Sequence, residues 1–152
     1  MRYINFPPQK TAKYINFLDV LLEMVTFQDL FNALDKLKIR NKTNFVMLYG
    51  SVSKGQDTPL SDVDVCISFN LPLVKRMKCR IKLLGLLSDK YDIQIFEDLP
   101  LYVQKEVLQG RVIYCKNEEK LVQVALGTIR EYEQFKKIYE YYIASDKSKV
   151  EI

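Results

Sequence analysis

The sequence predicts an α/β (α+β) domain in which a small sheet of about four strands is flanked by helices. Three observations carry this expectation. Segments 44–49, 62–69, 91–96 and 111–115 are short and apolar or alternating, with enough β-branched and aromatic residues for strands. Stretches with apolar residues at helical spacing lie before, between and after them. At 152 residues and 48% apolar composition, the chain fits one ordinary domain with enough side chains to close a core.

Taken in order, Pro7-Pro8 marks a loop. Tyr14, Phe17, Leu18, Leu21, Leu22 and Val25 then recur at helical spacing, as do Phe27, Leu30, Phe31, Leu34 and Leu37, giving two amphipathic helices before about Arg40. Asn44 to Tyr49 reads as a buried strand running into Gly50-Ser51, where a helix can begin. Gln56 to Ser61, with Pro59, reads as a turn, and Asp62 to Phe69 as a second strand carrying acids on one face. From Leu71 to Leu87 the apolar positions Val74, Met77, Ile81, Leu84 and Leu87 fit a helix, with Lys75, Lys78, Arg80 and Lys82 on a solvated remainder. Tyr91 to Phe96 is a third strand, Leu101 to Leu108 a helix, Gly110 a cap or turn and Arg111 to Cys115 a fourth strand. A final helix is expected from Leu121 to about Tyr142, its aromatics serving the core or a subunit contact, with fraying from Ser145. The organisation is thus one domain over 1–152: helices in 1–43, a core in 44–115, a C-terminal helix in 116–144 and a tail in 145–152.

Composition narrows the chemistry. Lys and Arg total 23 against 19 acids, a net charge of +4 that suits an anionic ligand without marking a nucleic-acid protein. Three widely spaced cysteines form neither a disulfide framework nor a zinc cluster and read as reduced, mostly buried thiols. The chain has no histidine, which removes Ser-His and Cys-His nucleophile activation and His-ligated zinc. Catalysis must then rest on carboxylates, hydroxyls, lysine and metal. The N-terminus carries no signal-peptide pattern and no apolar run reaches the ~18 residues of a membrane span, so a cytoplasmic protein is expected.

The segment from Tyr49 to Val65 holds the chemical signal. Gly50, at the end of a strand, lets the backbone approach a phosphate closely, and the first turn of a following helix offers amide donors and a positive dipole end to the same anion. Ser51 adds a hydroxyl. Ten residues (52–61) separate it from Asp62, and Asp62 and Asp64 alternate on a strand so that both carboxylates share a face opposite Val63 and Val65. Paired carboxylates repel unless a cation lies between them, and Mg²⁺ is commonly held by one or two carboxylates with substrate phosphates and water.

In this order, strand-Gly-Ser-helix followed by Ser-Asp-x-Asp-strand, the residues resemble the signature of the DNA polymerase β nucleotidyltransferase superfamily, and the ten-residue gap resembles its minimal nucleotidyltransferase (MNT) branch. The resemblance covers about Asn44 to Tyr114 and implies the polymerase β-type fold with a mixed sheet. It implies that Asp62 and Asp64 hold two Mg²⁺ ions, and that a third carboxylate on a later strand, Asp92 in Tyr91-Asp92-Ile93-Gln94-Ile95-Phe96, completes the site. Gly50, Ser51 and Lys54 would bind the phosphates of the nucleotide. Many MNT members carry Ala-Arg after the Gly-Ser opening. Here Ser53-Lys54 precedes Gly55, so Lys54 brings a point charge without the fork of Arg and reads equally well as solvent-facing. Glu97 and Asp98, at the strand's end, suit turn or capping roles.

Short stand-alone MNT proteins resemble the antitoxin half of HEPN/MNT toxin–antitoxin pairs. That implies transfer of AMP from ATP to a tyrosine of a HEPN ribonuclease toxin, the partner expected here, in a homo- or hetero-oligomeric assembly. Two alternatives stay open: a non-catalytic antitoxin that masks its partner by contact, and a small-molecule nucleotidyltransferase.

Overall fold

The computed structural model describes residues 27–50 and 62–150, with side chains to residue 147. The helix expected over 14–25 lies outside the described residues, as do Ser51 and Lys54. Helix α1 spans Gln28–Lys36 and leads through a 3-10 turn at Arg40–Lys42 into β1, Thr43–Tyr49. Strand β2, Val63–Phe69, is followed by α2, Leu73–Leu86, and β3, Tyr91–Ile95. A second 3-10 turn, Phe96–Asp98, leads to α3, Leu101–Leu108, then β4, Arg111–Cys115, and α4, Glu118–Val150.

The sheet order is β3-β2-β1-β4. β1 runs antiparallel to both β2 and β4, while β2 and β3 are parallel and joined through α2, so the sheet is mixed as expected. Alternation along the strands builds two cores. Val46 and Leu48 of β1, Val63, Val65 and Ile67 of β2, and Ile93 and Ile95 of β3 pack beneath α1 and α2, together with Leu30, Leu34 and Leu83. The intervening residues Phe45, Met47 and Cys66 face the other way and pack with Val107 of α3 and Leu121 of α4. Gly110 turns the chain from α3 into β4 with its Cα against the carbonyl of Leu48, where any Cβ would collide with the backbone.

Two expectations are corrected. Val74, Met77, Ile81 and Leu84, read as the inner face of their helix, are exposed. The inner face is Cys79 and Leu83, continued by Leu87 beyond the helix end. The turn of the helix is set by arginines: Arg76 donates to Leu71 O at 2.8 Å and forks onto Asp98, and Arg80 Nε donates to Ile93 O at 2.7 Å. Both faces satisfy helical periodicity, and these polar anchors decide between them. The final helix is also longer than expected, running through the stretch from Ser145 to Val150. Residues 143–150 contain neither Gly nor Pro, and polarity alone does not stop a helix. Among the described residues, no helix is long and apolar enough to cross a membrane.

Candidate active site

The acids converge at one end of the β2–β3 pair, on the face shared with α3. Asp64 stands in register with Tyr49 of β1 on one side and with Asp92 of β3 on the other. Both carboxylates point away from the packing of Val63 and Val65, as strand alternation requires. Gly50 closes the group from β1. Its φ of 72° is left-handed, and a Cβ placed there would run into Oδ2 of Asp64. This position therefore needs glycine twice over, for the backbone turn and for contact with the carboxylate. Asp62 immediately precedes β2 and is exposed.

Electrostatics agree with the geometry. Burial, then the charges of Asp92 and Asp62 and a hydrogen bond shared with Asp92, hold the Asp64 carboxyl above the usual carboxylate range. Gln94 Nε2 donates to Asp92 Oδ1 at 3.2 Å and orients that carboxylate from the same face of β3. Two groups escaped the sequence reading. Tyr49 is pushed up by burial and by the negative charge around it, from Cys66, Asp64, Asp92 and Glu106. Glu106, from α3, adds a fourth carboxylate to the field felt by both Tyr49 and Asp64. The available signal was that Glu106 is the acid of the short helix 101–108; its proximity depended on how α3 packs across the sheet.

Chain order thus brings Gly50, Asp64 and Asp92 together, with Asp62 at the rim. Among the described residues no three metal-ligating side chains already close on one point. Asp64 and Asp92 nevertheless form a donor set suited to Mg²⁺, an ion that keeps waters and substrate phosphates and asks for only one or two carboxylates. Their mutual repulsion is the unsatisfied charge a cation would relieve. The expected turn after β3 holds Glu97 and Asp98 in structural roles. Glu97 accepts from Ser68 Oγ and from Phe69 N, and Asp98 pairs with Arg76 at 2.7 Å.

A family described as polymerase beta, nucleotidyltransferase matches residues 32–119, more than half of the sequence. The chain belongs to this nucleotidyltransferase family. It is 40% identical over 76 residues to a candidate protein adenylyltransferase of Methanocaldococcus jannaschii, a match covering 50% of this chain and 58% of that protein. The chain thus spans less than two thirds of the length of that relative. Among solved structures, a toxin–antitoxin crystal structure with AMP-PNP aligns at a TM-score of 0.62 and 18% identity, over 79% of this chain and 97% of that one. An MNT antitoxin in complex with tri-AMPylated HEPN toxin from Shewanella oneidensis aligns at 0.54 and 17% identity, over 78% and 98%. At such identities the likeness establishes the polymerase β-type fold, with its mixed sheet between helices.

Proposed function

We propose that this chain transfers AMP from ATP to a hydroxyl, and that the acceptor is a tyrosine of a HEPN toxin neutralised by the modification. The observation that carries the proposal is the left-handed Gly50 packed on Asp64, itself in register with Asp92. In this reading the Gly50 turn lets a phosphate approach the backbone beside a carboxylate pair. The family relationship, the adenylyltransferase relative and the antitoxin fold of the solved neighbours all favour the same reading.

In this reading Gly50, with Ser51 and Lys54, receives the β- and γ-phosphates, while Asp62, Asp64 and Asp92 face the reacting end. Mg²⁺ held by these carboxylates would offset the charge of the triphosphate and stabilise the oxygens of an in-line displacement. The acceptor oxygen forms its bond to the α-phosphorus as the bond from that phosphorus to the bridging oxygen of pyrophosphate breaks. Asp92, oriented by Gln94, is the carboxylate that takes the hydroxyl proton. A tyrosine hydroxyl normally titrates near 10, so an adjacent base lowers the cost of its ionisation. The rest of the catalysis is positioning and electrostatics, which need no histidine.

The test is the double substitution Asp62→Ala/Asp64→Ala. Neither side chain packs in the core carried by Val63, Val65 and Ile67, so the variant folds and still meets its partner. Intact-mass spectrometry of the HEPN protein then shows one or more AMP additions with the parent chain and none with the variant, and the variant fails to protect cells. Equal protection by both, with the partner's mass unchanged, would establish masking by contact instead.

A further inference from the structure

The C-terminal helix outruns the domain it packs on. Its first half lies on α3, with Leu121 and Thr128 buried and Tyr132 beneath the ammonium of Lys105, 3.9 Å from the ring centroid. From Glu133 to Tyr142 every residue is exposed. The remaining 18 residues, 133–150, extend about 27 Å at ~1.5 Å per residue.

The packed seam does not stop where the body stops. Steps of seven residues return to nearly the same side of a helix, drifting by only ~20°. Leu121 and Thr128 therefore share their face with Phe135 and Tyr142, and Tyr132 shares its face with Tyr139. Four residues on or beside this seam are largely uncovered: Phe135 at 52%, Ile138 at 69%, Tyr139 at 54% and Tyr142 at 70% exposure. With aromatic side chains burying roughly 150–250 Å² each, this amounts to about 450 Å² per copy. Two copies facing one another would remove up to ~900 Å², the size of a weak, concentration-dependent contact.

We propose that the free half of α4 is a homodimer interface in which two copies of this chain pair antiparallel. The direction follows from the fold. Up to Tyr132 the side facing the seam is filled by the chain's own domain, so a parallel partner would have to place its domain in the same space. Antiparallel pairing sets the two domains at opposite ends, with the tip of each helix reaching only the margin of the other domain near Tyr132. It also layers the seam consistently: Tyr139 of one copy meets Tyr142 of the other, and Phe135 meets Asp146. Lys136, next to Phe135, then lies beside that Asp146, so the symmetric contact is matched in charge twice. The arrangement is independent of the nucleotide chemistry.

Sedimentation velocity on the full chain, from about 1 to about 200 μM, tests this. Wild type is dimeric in the upper part of that range. Tyr139→Glu/Tyr142→Glu is monomeric, while Tyr141→Glu, still more exposed but off the seam, stays dimeric. Lys136→Glu weakens the dimer by about tenfold, and adding Asp146→Lys to the same chain restores it. A wild type monomeric throughout overturns the proposal, even if the seam variants lose a HEPN protein. A dimer indifferent to the seam variants, or failure of the charge swap to restore affinity, does so as well.

Discussion

Replacing Gly50 by Ala tests the core of the site because two separate costs meet there. A left-handed backbone at φ 72° costs a residue with a Cβ roughly 1–2 kcal/mol. The new methyl would also press on Asp64, whose Oδ2 it overlaps and whose Cγ and Cβ it meets at 3.3 and 3.6 Å. That carboxylate cannot swing away cheaply, since Asp92 stands in register on its other side. Together the costs come to ~2–3 kcal/mol, within the upper range for single substitutions. For a chain of this length that corresponds to a fall in Tm of about 4–12 °C. Urea unfolding measures this combined destabilisation, and calorimetry measures the loss of ATP affinity expected to accompany it. The double variant Gly50→Ala/Asp64→Ala isolates the steric part: deleting the carboxylate returns ~1 kcal/mol, so the two substitutions are non-additive. Gly50→Ala with unchanged unfolding, strictly additive with Asp64→Ala, would refute the assigned contact.

Other expectations follow from the same carboxylates and their supports. Asp64→Asn stabilises the metal-free protein at pH 7, by an amount reduced by solvent screening at this partly exposed group. The sign follows from the raised carboxyl: the folded state binds its proton more tightly, so wild-type stability falls as pH rises from the unfolded-state range of Asp through the folded one. The Asn variant lacks this fall, which urea titrations across pH 3–7 check directly. Mg²⁺ strengthens ATP binding by wild type, and Asp62→Asn or Asp64→Asn removes most of that linkage; equal affinity with and without Mg²⁺ in wild type would count against the carboxylate site. Glu97→Ala costs about 1–3 kcal/mol in chemical denaturation because it removes the acceptor of the Ser68 hydroxyl and of the amide of the buried Phe69, with no direct loss of nucleotide contacts.

Much of the candidate site was legible because it is local in sequence. Gly50 at a strand end and Asp64 two residues after Asp62 fall within one short segment, and alternation alone puts Asp64 opposite Val63 and Val65. Asp92 required a fold, and the resemblance supplied it: nothing in the spacing of residues 64 and 92 sets them side by side until β2 and β3 pair in parallel. Tyr49 and Glu106 were missed for the same reason, since an apolar strand residue and an acid on a short helix carry no signal until α3 is laid across the sheet. The inner face of α2 was misread because its sequence offers two apolar stripes. The choice between them rests on Arg76 and Arg80 reaching a carboxylate and two backbone carbonyls, which periodicity does not see.

Among the described strands β3 lies at the margin of the sheet, which gives the candidate site a particular vulnerability. Among the described residues, the strand that carries Asp92 has a neighbour on one side only, and it is tied to the helices by Arg80 on Ile93 O and by the hydroxyl of Tyr91 on Asp29 at 2.6 Å. Edge strands are the first to peel. A brief detachment of five residues would separate Asp92 from Asp64 while β1, β2 and β4 stayed paired. The integrity of the carboxylate pair is therefore tied to this one strand, which its buried Ile93 and Ile95 hold in the core.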